Sequence, residues 1–226
     1  MDAGQPGSDQ DYCQLGRDHT MCQYQGQGCN TIVRELNDNQ RQAILDRHND
    51  LRRKIAFGQE SSQHPASNMK KLKWDPELEA IAQRWADQCT FDHDANKKKL
   101  DGTSVGQNVA WSFSSNKQSG SGLTNAVIDG VQRWYNEVHD PGFGSHPESP
   151  FSFDYGTGHY TQVVWADTEF VGCGMVNYHK QGYEVILVCN YAVAGNFARE
   201  VMYKVGEACS ACPSGYSCED GLCSRQ

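Results

Sequence analysis

No apolar run in this chain approaches the ~18 residues that a membrane-spanning helix needs, so no such span is expected. Basic residues are in deficit, 20 Lys and Arg against 28 Asp and Glu, for a net charge of −8 and an isoelectric point near 5.4. Nucleic acid and polyanions such as heparin need a basic face, so both are excluded as partners. Lys97-Lys98-Lys99 is the only basic run and is too short to change that. Proline is scarce, 7 residues against 22 Gly, which removes collagen-like and low-complexity architectures. The chain has no internal repeat, no Asn-x-Ser/Thr sequon and no Arg-Gly-Asp triplet, which closes that integrin-binding route. Residues 1–10 (MDAGQPGSDQ) lack a basic start and an apolar core, so a mature form behind an initiator Met is expected rather than a signal peptide.

What the chain has is cysteine. Ten Cys in a chain with mean hydropathy −0.70 point to disulfides and an oxidising, extracellular setting. They form three groups: Cys13, Cys22 and Cys29; Cys89, Cys173 and Cys189; Cys209, Cys212, Cys218 and Cys223. The last group could also be read as a zinc knuckle, but a secreted chain would oxidise such thiols, so two disulfides are favoured.

Residues 8–30 are polar and show neither a helical nor a strand period; only staples or a larger body can order them. Ile44, His48, Leu51 and Ile55 make one apolar stripe of a helix over about Asp38–Phe57, with Gly58 as its stop. A second helix starts at Asp75 as N-cap with Pro76 next, and carries Leu78, Ile81, Ala82, Trp85 and Cys89 inward. Residues 112–122 read as a flexible loop. Thr124 opens a third helix with Val127, Val131, Trp134 and Val138 on one face. After a Pro/Gly/aromatic loop at 139–157, three strands are expected: His159–Trp165, Val171–Tyr178 and Tyr183–Tyr191, with a turn at Lys180-Gln181-Gly182. Helices followed by an antiparallel sheet make an α+β domain, a three-layer α-β-α sandwich.

Gly102-Thr103-Ser104-Val105-Gly106 matches the G-x-S-x-G nucleophile elbow, with Glu137 and His159 following in hydrolase order. Its surroundings argue against it, because Lys97–Asp101 is charged and Gln107–Phe113 reads as extended, whereas the elbow needs a strand before and a helix after.

Longer motifs are more specific. Gly158-His159-Tyr160-Thr161-Gln162-Val163-Val164-Trp165 and Val188-Cys189-Asn190-Tyr191-Ala192-Val193-Ala194-Gly195-Asn196-Phe197 resemble the two signatures of the CAP superfamily, with Val193 where Pro is usual. His48-Asn49-Asp50-Leu51-Arg52, Trp85–Cys89, Gly106–Ala110 and Trp134–Val138 match in the family's order, over about residues 36–203. The early region, with Tyr12-Cys13, His19–Cys22, Lys54–Gly58 and Asn68–Leu72, resembles arthropod antigen 5 proteins of venom and saliva. Two cysteines usual there, near Arg17 and near Ala95-Asn96, are both missing.

The resemblance implies three regions: an N-terminal extension (1–35), a CAP domain (36–203) and a cysteine-rich, hinge-like tail (204–226). It implies the pairs Cys13–Cys22, Cys29–Cys89 and Cys173–Cys189, and an interleaved tail, Cys209–Cys218 with Cys212–Cys223. It also implies a cleft described by His93, Glu137 and His159, with Gln107 where a second Glu is usual. Two neutral imidazoles suit zinc or another divalent cation, with no metal required. Gln107 removes one charge and leaves Glu137 alone to activate a water, so an enzyme is not expected. The implied activity is carriage of a hydrophobic small molecule, a sterol, fatty acid or eicosanoid. Ile44, Leu51, Ile55, Val127, Val131 and Val138 would line a channel, and Phe143, Phe151, Phe153 and Tyr155 would serve a sterol. Each stripe taken alone reads more readily as core. The alternatives are a secreted effector binding a host receptor or channel through its loops and tail, and a metal-dependent hydrolase using His93, His159 and Glu137. A monomer is expected.

Overall fold

The computed structural model describes residues 4–144 and 146–225, so residues 1–3 of the extension lie outside the described residues. Two long strands, β4 (Phe170–His179) and β5 (Tyr183–Ala192), form the centre of an antiparallel sheet, joined at His179↔Tyr183 by the expected turn. β3 (Gly106–Ser114) pairs with the free edge of β5. β1 (Thr31–Arg34) and β2 (Lys73–Trp74) lie end to end on the other edge of β4, the first antiparallel and the second parallel. Both central strands are buried on both faces, which accounts for their unbroken Val, Ile and Tyr content.

Side-chain alternation assigns the two outer layers. Val171, Cys173, Met175, Val185, Leu187 and Tyr191 pack with α3 (Asp38–Ala56) and α5 (Ser121–Asn136). Val176, Ile186 and Val188 face α4 (Pro76–Ala86) through Ala82 and Ala86. Here the helix rests almost on the strand. A Cβ on Gly172 would sit 2.3 Å from the Glu79 nitrogen, and one on Gly174 would sit 2.3 Å from the Gln83 Cα. The α-β-α sandwich is the architecture expected.

Helix starts follow their capping chemistry. Asp75 accepts from the Glu77 and Leu78 nitrogens at 2.8 and 3.0 Å, with Pro76 behind it. Asn37 and Gln40 form a reciprocal capping box on α3. Gly58, at φ +65°, ends that helix.

Several elements differ from the sequence expectation. The stretch read as a strand over His159–Trp165 is a helix, α6 (Gly158–Val163). The Glu137 carboxylate accepts from the backbone N–H groups of its second and third residues, and Arg52 gathers carbonyls at and just beyond its end. Those distant partners override the strand propensity of its residues. The loop expected at 112–122 is shorter, because β3 continues through Ser114 opposite Tyr183 and α5 begins at Ser121 rather than Thr124. Cys89 does not extend the α4 stripe. The helix ends at Ala86, and Cys89 has the left-handed backbone, φ 57°, that turns it toward Cys29. The glycine-serine motif at 102–106 sits in a loop that leads into β3, not in a strand-to-helix elbow.

The polar N-terminal segment contains two short helices, α1 (Asp9–Leu15) and α2 (Thr20–Gln23), which no local period announced. Cys13–Cys22 joins them, and fully buried Tyr12 packs on Ile81 of α4. The lysine run is partly structural, since Lys99 is buried between Asp75 and Glu77.

The tail folds back onto the domain. Its hairpin, β6 (Ser217–Glu219) and β7 (Leu222–Ser224), is braced by Cys209–Cys218 and Cys212–Cys223. Cys223 exchanges backbone hydrogen bonds with Met69 and Lys71, and Leu222 enters the main core.

Candidate functional site

Three elements converge at one end of the sheet. The segment after α4 carries His93, β3 carries Gln107, and α6 carries His159. The two imidazoles lie nearly parallel, with ring centroids 6.2 Å apart, and Trp134 stacks behind His159 at the same spacing. They line an open cavity of about 240 Å³ together with Lys97, Asn108, Phe153, Tyr155 and Asn196.

Each histidine is held through Nδ1. That of His159 donates to Glu137 Oε1 at 2.7 Å. That of His93 faces the Gln107 amide oxygen at 3.3 Å, an oxygen that also accepts from the Asp94 nitrogen at 2.8 Å. Gln107 is itself fixed by donating to Asn190 Oδ1 at 2.9 Å. This leaves Nε2 on both rings available to a metal, since an acceptor behind an imidazole sets its tautomer. Burial also pulls the His93 pKa below the ordinary histidine value, which favours the neutral, ligating form.

Glu137, which the resemblance implies as part of the cleft, lies behind the His159 ring. Its second oxygen accepts from the backbone nitrogens of His159 and Tyr160, both at 3.0 Å, so both oxygens are committed behind the ring. It positions His159 rather than joining the imidazoles as a third ligand. The donor set facing the cleft is therefore two imidazoles, which fits a divalent cation completed by water or by a guest.

The residues expected to line a channel are packed in the core. Ile44, Ile55, Val127 and Val131 are fully buried, and Leu51 and Val138 nearly so, all within one cluster. The aromatic residues behave differently. Trp165, Phe151, Phe153 and Tyr155 form a ladder of edge-to-face rings, with successive centroids 5.2, 6.5 and 5.2 Å apart, from the core to the surface. Phe143 and Phe151 line a second cavity of about 240 Å³ with His146, Pro150 and Met202.

Two interactions escaped the sequence reading. His48 was placed correctly on its stripe, but its hydrogen bond to Tyr191 joins residues 143 apart. Arg52 lies in the motif quoted above, yet nothing local marks it as a buried guanidinium with five carbonyl partners.

All ten cysteines are paired, as Cys13–Cys22, Cys29–Cys89, Cys173–Cys189, Cys209–Cys218 and Cys212–Cys223. That thiol inventory belongs to an oxidising compartment, and the protein is secreted. Among the described residues no helix is long and apolar enough to cross a membrane.

Comparison with known proteins agrees with this geometry. The chain is 41% identical over 195 residues to venom allergen 5 of Microctonus hyperodae, covering 82% of each chain. It is 37% identical over 212 residues to venom allergen 5 of Tityus serrulatus, covering 92% of this chain and half the length of that relative. Among solved structures, BmVAL-1 superposes with a TM-score of 0.73 at 29% identity, over 84% of this chain and 96% of that one. A structure of NaASP2 with Zn2+ gives 0.68 at 30% identity, over 84% and 97%. The model of the CAP, or cysteine-rich secretory protein, family matches residues 45–191, well over half the sequence, and the chain belongs to that family.

Proposed function

We propose that the protein is a non-enzymatic carrier of venom or saliva that binds a hydrophobic small molecule, a sterol or a fatty acid, on its aromatic loop. The observation that carries this reading is the ring ladder from Trp165 to Tyr155, which connects the two cavities. Phe151 faces one cavity, while Phe153 and Tyr155 face the histidine cleft. Each volume falls below the ~300 Å³ at which ligand pockets begin, so a guest would fill part of a cavity and lie along the exposed rings. Tyr155, 93% exposed, and Phe153, 48% exposed, are costly to leave in water and gain on being covered. A channel between α3 and α5 is less favoured, because a guest there must first displace packed core side chains.

The cleft adds a polar anchor. A divalent cation held by Nε2 of His93 and His159 would offer a Lewis-acidic contact to a carboxylate or hydroxyl head group. The venom names of the relatives and the zinc in the NaASP2 structure support this setting. A hydrolase is disfavoured because Glu137, the one candidate base, has both oxygens occupied.

The full chain should extract labelled cholesterol or labelled palmitate from aqueous suspension. Replacing Phe153 and Tyr155 by Ala should weaken uptake several-fold without unfolding, since Tyr155 is almost fully exposed and Phe153 about half exposed. Failure with both lipid classes removes the proposal.

A further inference from the structure

A second group of metal-type ligands lies outside the cleft. His64 Nδ1 is 3.5 Å from Glu148 Oε2, and His146 Nδ1 is 3.9 Å from Glu148 Oε1. One ligand atom from each of the three residues lies within 4.8 Å of the other two. Tetrahedral zinc with bonds of about 2.0–2.1 Å holds neighbouring ligand atoms about 3.3 Å apart. The two histidine spacings run to different oxygens of Glu148, so closing on one ion must draw the three ligand atoms in from within 4.8 Å toward that edge. His64 and His146 are more than half exposed and Glu148 is 46% exposed, so that contraction proceeds by side-chain rotation at the surface.

The backbone beneath them is already placed. The His64 carbonyl accepts from the Tyr203 hydroxyl at 2.9 Å, and the next carbonyl, of Pro65, accepts from the Gly206 nitrogen at 3.1 Å. On the other side, the Pro147 carbonyl accepts from the Met202 nitrogen at 3.2 Å, and the Ser149 nitrogen donates to the His146 carbonyl at 3.0 Å. Two segments far apart in sequence are thus hung on one stretch, 202–206, with their ligands converging. The set is two imidazoles and a carboxylate with a fourth position open to water, a donor set that zinc accepts and magnesium or calcium, which prefer oxygen, do not.

We propose that His64, His146 and Glu148 form a second divalent-cation site, selective for zinc-like metals and independent of the imidazole pair in the cleft. It shares no residue with the lining of the histidine cleft, and it does not require the aromatic loop to hold a lipid. Because His146 also lines the cavity of Phe143 and Phe151, a bound metal would pin that cavity's outer wall to the segment before β2.

The test is a zinc titration of the full chain without lipid, followed by calorimetry and native mass spectrometry. In the His93→Ala/His159→Ala variant one zinc should still bind. Adding His64→Ala and His146→Ala to it should abolish that binding, and Glu148→Gln should weaken it. On zinc addition, the imidazole NMR signals of His64 and His146 should shift in the cleft variant. Zinc binding lost with the cleft histidines alone, or unchanged when His64 and His146 are replaced, overturns the proposal. Neither result bears on lipid carriage, which is read separately by the extraction assay.

Discussion

His48 shows how burial selects one protonation state of a hydrogen-bonded side chain. Nδ1 donates to the Ile44 carbonyl at 2.8 Å, which leaves Nε2 to accept from the Tyr191 hydroxyl at 2.8 Å. The Asn108 amide donates to that hydroxyl in turn. A neutral ring uses one donor and one acceptor here, and an added proton would displace the Tyr191 O–H from Nε2 and bury a second positive charge near Arg52. Burial accordingly pushes the His48 pKa down to about 4. The unfolded ring, near pH ~6.5, binds its proton first, so this stabilisation is complete above that value and is lost as pH falls toward 4. Between pH 7 and pH 5 the loss should be about 2 kcal/mol. Urea denaturation at the two pH values should show it, and His48→Gln should flatten the difference. Equal pH dependence in both proteins would mean that other groups carry it. The sequence placed His48 on the right helix face because 3.6-residue spacing is local. Its partner was invisible, since a contact across 143 positions leaves no periodic trace. The cleft divides the same way. His93, Gln107 and His159 were named on motif resemblance, but the role of Glu137 depends on which way its carboxylate points.

Elements whose stabilising contacts are local were legible, and α6 marks the limit. The apolar stripes of α3, α4 and α5, the Asp75 cap and the β4–β5 turn can all be read within about a dozen residues. The segment Gly158–Val163 carries Tyr, Thr and Val, side chains that suit a strand. It is helical because each end is held from elsewhere. Glu137 occupies the N-terminal N–H groups, where a negative charge is favoured. Arg52, fully buried, donates to the carbonyls of Lys70, Val163, Trp165, Ala166 and Thr168, joining α3 to two other stretches of chain through one guanidinium. Replacing Arg52 by Met keeps the bulk and strands five acceptors. At the ~1–3 kcal/mol that a buried unsatisfied group costs, the loss should reach at least about 3 kcal/mol even after water enters. Hydrogen exchange should show α6 amides opening before those of β4. Arg52→Lys, with three donors, should recover part of the stability. Uniform destabilisation without early opening of α6 would mean that the guanidinium supports the sheet rather than this helix.

At the scale of the whole molecule, the order of helices before strands was enough to expect a sandwich, whereas the docking of both ends was not. Leu222 is the only leucine of a polar tail, and only the structure shows it sealed in the main core. The disulfides that hold the ends differ in reach. Cys13–Cys22 closes 9 residues, while Cys29–Cys89 closes 60 and ties the extension to the end of α4. Loop-closure entropy makes the long link worth about 4 kcal/mol and the short one about 2.5 kcal/mol. Replacing both cysteines of each pair by Ser should therefore lower the guanidinium midpoint more for Cys29–Cys89. The consequences also differ in place. His93 stands four residues beyond Cys89, and among the described residues its ring meets Gln107 and stacks on His159. Releasing Cys89 frees the segment that aims this imidazole, so zinc affinity at the cleft should fall in the Cys29–Cys89 variant. In the Cys13–Cys22 variant it should persist. If both variants keep the cleft affinity, the hydrogen bonds of Asp94 and Gln107 suffice to place His93, and the long link serves stability alone.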